Sequence, residues 1–154
     1  MTFEDLPADW SRRPVTDSAI TADLLDLLVG ERDRAVGALG ILLCGPGDRL
    51  LQPIVVEAPD RSADASERRQ GFDNICSALC QLDQPGDGQA GSGLGMLVAL
   101  ARPGPPMAGP ADLDWRDTAV RSCADYGVRL LGVWLVTPDV IRELPARTSQ
   151  RRTA

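Results

Sequence analysis

Residues 95–114 read GMLVALARPGPPMAGPADLD, and the fold turns on them. Met96 to Ala101 are apolar without interruption, the pattern of a strand buried on both faces. The run stops at Arg102-Pro103. Residues 102–110 hold four prolines and are therefore a stiff loop. From Pro110 the chain reads as a helix start with Asp112 and Asp114 in its first turn. Carboxylates there meet exposed amides and the positive end of the helix dipole, worth about 0.3–1 kcal/mol each. A strand running through a rigid loop into a carboxylate-bearing helix is a common place for a metal or substrate site.

Toward the C-terminus, residues 111–126 make a helix with Trp115, Ala119, Val120, Cys123 and Tyr126 turned inward, stopped by Gly127. Residues 128–136 are a further apolar strand. Thr137 is read as the cap of a short helix with Pro138 in its first position, ending before Pro145. Residues 146–154 are read as a disordered tail.

Toward the N-terminus, residues 84–93 form a Gly-rich linker. Glycines that precede a strand are in the wrong order for a dinucleotide site, which needs strand, glycines, then helix. Asp64 and Glu67 fit a capping box at the end of a polar connection (residues 59–65). Phe72, Ile75, Cys76, Leu79 and Leu82 follow as one helical stripe. Residues 36–44 and 50–57 are two apolar runs joined by Gly45-Pro46-Gly47-Asp48, a hairpin whose second strand lies at an edge or is bulged at Pro53. No Gly-Lys-Ser/Thr follows that turn, so it is not a phosphate loop. Gly37 and Gly40 leave room for close packing on the first strand. Thr16 or Asp17 caps a helix carrying Ile20, Leu24, Leu27 and Leu28 on one face and ending near Gly30. Residues 1–15 are an irregular leader, broken by Pro7 and Pro14, from which Trp10 packs on the body.

The reading is an α/β protein of α+β type. It expects a single domain over residues 16–145, with element order α-β-β-α-β-α-β-α. A hairpin and two strands reached by helical crossovers make one mixed sheet with helices on both faces.

Composition narrows the function. The 154 residues carry a net charge of −6, no histidine, and 16 basic residues that are all Arg. An acidic chain does not suit duplex nucleic acid, whose phosphates need a basic face. No leader resembles a signal peptide and no apolar run approaches a membrane span, so the expected location is cytoplasmic, with the four cysteines reduced. Without imidazole, the Ser/His and Cys/His nucleophile systems cannot run in their usual form. Cys76 and Cys80 stand four apart on one helix, but no paired spacing of a structural zinc site is present. The thiols read as small buried hydrophobes.

Three stretches resemble the JAB/MPN metalloprotease-type domain, and its RadC-like bacterial branch in particular. ALGILLCGPGDRL at residues 38–50 is similar to the family's first hairpin. LVALARPG at residues 97–104 is similar to the strand that enters its His-x-His-Pro loop. PAD at residues 110–112, with YGVRLLGV at residues 126–133, is similar to the helix start bearing a metal-binding aspartate and to the final strand. The likeness spans roughly residues 35–137. The family holds zinc with two histidines and an aspartate, and a glutamate on the first strand polarises the bound water. On this chain Leu100 and Arg102 take the histidine positions, Asp112 the aspartate position, and the glutamate position falls near Gly37. One ligand cannot hold a catalytic zinc, which needs about three.

The resemblance thus implies the scaffold without the chemistry, with no catalytic residue, metal or cofactor assigned. Arg102 is expected to pair with Asp112 or Asp114 across the loop. The leading expectation is a scaffold or protein-interaction module, with a protein partner or a homodimer, contacting through Met107 of the proline loop and through Trp134 if its strand is at an edge. Two alternatives stay open. One is an anionic small molecule held by Arg102 in the vacated site. The other is a hydrolase with zinc on Asp112 and Cys44 or Cys123.

Overall fold

In the computed structural model, residues 2–57, 64–82 and 93–145 are described. In chain order the helices and strands are α1 (Thr21–Leu28), α2 (Glu31–Val36), β1 (Ala38–Cys44), β2 (Leu50–Glu57), α3 (Ala65–Leu82), β3 (Gly95–Ala101), α4 (Pro110–Tyr126), β4 (Arg129–Val136) and β5 (Ile141–Leu144). The five strands make one sheet in the order β2-β1-β3-β4-β5. Within it β3 and β4 run parallel, and the other neighbours are antiparallel. The hairpin and the third strand therefore share a sheet, and the fold is a mixed α/β single domain.

Every residue of β1 and β3 is buried, as their unbroken apolar sequences require of strands at the centre of a sheet. Alternation along them feeds two cores. Leu39, Ile41, Leu43, Met96, Val98 and Leu100 face α3 and α4, where they meet Phe72, Cys76, Leu79, Ala119 and Cys123. Leu42, Leu97, Ala99 and Ala101 face the other way, toward Leu24 and Leu25 of α1. Helices thus cover both faces. The leader is irregular, with two short 3-10 turns, but it is also part of the second core: Leu6 and Val15 are buried, and Trp10 packs on the same cluster.

Several local readings hold. Asp64 and Glu67 exchange their capping-box hydrogen bonds at 2.9 and 3.2 Å. Pro53 lies on the edge strand β2, opposite Leu42, the kind of strand to which proline is confined in sheets. Gly127 ends α4 in the left-handed region, φ 68°.

Others are corrected. The final element is strand β5, not a helix from Thr137. The Thr137 hydroxyl does accept from Val140 N at 3.1 Å, but it closes a turn, and the β-branched pair Val140-Ile141 then leads into pairing along the open side of β4. Val36 belongs to the additional helix α2 and is 58% exposed, so the first strand starts at Ala38. Gly37 is the C-terminal stop of α2 rather than a strand residue. In α4, Val120 and Tyr126 point outward; Asp112, Arg116, Ala119, Ser122 and Cys123 form its buried face. In α1 the buried leucines are Leu24 and Leu25, with Leu27 and Leu28 half-buried. Cys80 is exposed, unlike the other three thiols. Trp134 is half-buried in β4, which lies between β3 and β5 and is not an edge. Most of the polar connection and the Gly-rich linker, the tail 146–154 and the Leu82 side chain lie outside the described residues.

Candidate functional site

The parallel pairing of β3 with β4 brings the ends of both strands together, with Ala101 opposite Val136. The next amide, Arg102 N–H, donates to the Val136 carbonyl at 3.1 Å, so the loop leaves the sheet in a fixed direction. The chain then returns to α4, which starts at Pro110 with Gly109 in the cap position.

The Arg102 side chain folds back under this loop. Its Nε donates to Asp112 Oδ1 at 2.9 Å and its Nη2 to Oδ2 at 2.8 Å. Nη1 donates to the carbonyls of Pro103 at 3.1 Å and Pro105 at 2.9 Å, and Nη2 also to that of Met107 at 2.9 Å. All five N–H directions of the guanidinium are thereby engaged. Asp112 Oδ2 additionally accepts from Gly109 N–H at 2.8 Å. One carboxylate therefore caps α4 and neutralises the arginine. The pair is largely withdrawn from water, with side-chain exposures of 11% and 9%. The loop has few apolar contacts of its own, and this ion pair organises it.

Beside the clamp lies a cleft of about 320 Å³. Leu100 and Ala38 form its floor, Pro103, Pro105 and Met107 one wall, and Pro110 and Trp115 the other. Trp115 meets Phe72 edge-on, ring centroids 5.9 Å apart, and the Arg68 guanidinium lies 6.0 Å over the Trp115 ring. Met107 is 72% exposed at the rim. Because the loop carbonyls turn in toward Arg102, proline rings and the Met107 thioether form the outer surface.

Of the residues singled out from sequence, Arg102, Asp112 and Met107 come together here. Asp114 is exposed and is not among the hydrogen-bond partners of Arg102; its carbonyl accepts from the Thr118 hydroxyl at 2.8 Å. Trp134 packs with the α1-facing core. Trp115, Leu100 and Ala38 also line the cleft. Trp115 reads from its period as plain core, and Ala38 is placed there only by its pairing with Ala101 across the sheet.

The two cysteines offered as partners for Asp112 do not reach it. Cys44 pairs with Gly95 at the opposite end of the sheet, roughly 20 Å away along the strands. Cys123 is about 16 Å further along α4. Burial, reinforced by the nearby Asp48 carboxylate, pushes the Cys44 thiol up to about 12, so it stays protonated. Among the described residues no group of three or more His, Cys, Asp or Glu is placed to hold a metal ion, and no helix is long and apolar enough to cross a membrane.

Comparison with known family models, curated proteins and solved structures gives no match.

Proposed function

We propose that this chain is a non-catalytic JAB/MPN-like domain that works as a protein-interaction module, with the proline loop and its cleft as the contact surface. The observation that carries this reading is the Arg102 clamp. It holds an exposed Pro/Met loop in one conformation while leaving no guanidinium N–H for a ligand. A surface ordered in advance loses little conformational entropy on binding, and Met and aromatic side chains are enriched where proteins meet. The placement of hairpin, third strand and loop on one sheet supports the scaffold half of the reading.

The same geometry ranks the alternatives lower. An anionic ligand on Arg102 would have to displace Asp112 or three backbone carbonyls. A zinc on Asp112 and a cysteine would need side chains that lie at other places in the fold.

The test compares affinity capture from native extract by the intact protein and by Met107→Glu. A glutamate at this exposed position leaves the core untouched. A partner retained by the intact chain and lost by the variant, at equal thermal stability, is the expected result. Identical captures by both proteins, or no specific capture by either, would remove the proposal.

A further inference from the structure

The cleft beside the loop is lined by two ionised side chains, Arg102 and Asp112, and offers neither charge to a guest. Every guanidinium N–H is engaged, and both carboxylate oxygens accept from Arg102. The other lining side chains are aliphatic, proline rings, a thioether and an indole, with Leu100, Pro103, Pro105, Met107, Pro110 and Trp115 the large ones. A charged group entering the cleft would leave water and meet neither a free guanidinium N–H nor an unshared carboxylate. The site therefore selects an uncharged guest.

Its volume of about 320 Å³ sets the size of that guest. An apolar cavity of about 150 Å³ takes one benzene ring. Twice that room takes two fused rings, whereas a valine or leucine side chain would leave part of the walls without contact. The walls suit a flat group. Trp115 is braced by Phe72, ring centroids 5.9 Å apart, and by the Arg68 guanidinium 6.0 Å over its ring, so its edge is presented in a fixed place. Met107, 72% exposed at the rim, brings a thioether that packs well on aromatic rings. The rim is open to water on that side. A free small molecule would keep one flank wet, but a side chain arrives with its own chain, which covers the opening.

We infer that the cleft is the receptor for one tryptophan side chain presented by a partner protein. This rests on the reading of the proline loop as a contact surface, and it names the group that surface grips. Neutral walls match a neutral ring system, the volume matches two rings, and tryptophan is among the residues on which binding energy concentrates when buried in a pocket.

The experiment titrates the isotope-labelled full-length protein with N-acetyl-tryptophanamide and follows the Met107 methyl and the Trp115 indole N–H by NMR. The expected result is saturable shifts at both groups, with a dissociation constant on the order of 1 mM for so small a probe. N-acetyl-alaninamide and N-acetyl-argininamide should bind at least about fivefold more weakly, the first for lack of apolar area and the second for its charge. Ala111 is exposed and lines the cleft, so Ala111→Phe should fill the space with a ring, keep the Tm and lose the shifts. No saturable shift at these two groups, equal binding of the alanine or arginine probe, or undiminished binding by Ala111→Phe would overturn the inference. The titration of the intact protein decides the matter even if the variant does not fold. The two readings also fail separately, because absence of probe binding removes the tryptophan guest even where Met107→Glu loses a captured partner.

Discussion

The Arg102 guanidinium and the Asp112 carboxylate meet as a fork on a fork, 2.9 and 2.8 Å along their two arms, at the junction of β3, the proline loop and α4. Each group also serves a second neighbour, since the arginine gathers three loop carbonyls and the aspartate caps the helix. Isolated surface ion pairs contribute at most about 1 kcal/mol. This one is buried, and removing either half strands the other in a place with little water.

Arg102→Ala and Asp112→Ala should therefore each cost about 3–5 kcal/mol in urea unfolding. The double variant should lose clearly less than the sum, because the second truncation removes a charge that the first has already orphaned. Arg102→Lys should not rescue, since one ammonium cannot span a carboxylate and three carbonyls in the guanidinium plane. A loss below about 0.5 kcal/mol for Arg102→Ala would mean that the loop is held by something else.

Phe72 ties the core to the cleft. It is 1% exposed, and its ring supports Trp115, which forms one wall of the cleft. Phe72→Ala should cost about 3–5 kcal/mol and weaken the near-UV circular dichroism that Trp115 contributes. A loss near 1 kcal/mol with an unchanged aromatic spectrum would show that the helices collapse into the gap and that Trp115 is positioned independently.

What the sequence discloses and what it hides follow one physical division. Met96 to Ala101 can only be a doubly covered strand, and Asp64 with Glu67 can only close on themselves, because the causes lie within a few residues. Arg102 and Asp112 are likewise joined by one short loop, so their pairing is foreseeable. Thr137-Pro138 starts a turn as readily as a helix; the choice falls to the unpaired side of β4, which no local pattern reveals. Val120 and Tyr126 fit an apolar helical period, but they flank the face that α4 buries, Asp112, Arg116, Ala119, Ser122 and Cys123, and both are exposed. Cys76 and Cys123 share one core, and Trp115 reaches its cleft, only because two helices pack on the same face of the sheet.

Gly40 tests how closely the central strands must approach. A Cβ there would stand 3.3 Å from Ala99 Cβ on β3 and 3.5 Å from Val29 Cγ2. Both neighbours are buried and neither is a flexible side-chain end, so Gly40→Ala should cost about 1–3 kcal/mol by overpacking. Gly71, exposed on α3 with open space around it, is the control: Gly71→Ala should stabilise by about 0.5–1 kcal/mol. If both substitutions stabilise, the β1–β3 contact has slack that the packing does not show.

Acid should weaken the fold through carboxylates held by charge. Arg69 Nε donates to Asp73 at 2.8 Å and also reaches Asp125 on α4, so this arginine bridges the two helices. It holds Asp73 below the ordinary aspartate range; Arg13 does the same for Asp9, and the Thr2 amide for Asp5. A carboxylate depressed in the folded state binds protons more readily when unfolded. Its contribution is complete above the unfolded value, near 4, and is lost as pH falls through the lower folded value. Tm should thus be flat from pH 7 down to about 5 and fall between about 4 and 2, less steeply in high salt. Asp73→Asn should lower Tm at pH 7, and its curve should converge on that of the intact protein at about pH 2, where neither chain keeps the charge. A gap between the two curves that is as wide at acid pH as at neutral pH would mean that Asp73 acts through its shape and its neutral hydrogen bonds, and that the α3–α4 seam owes nothing to this ion pair.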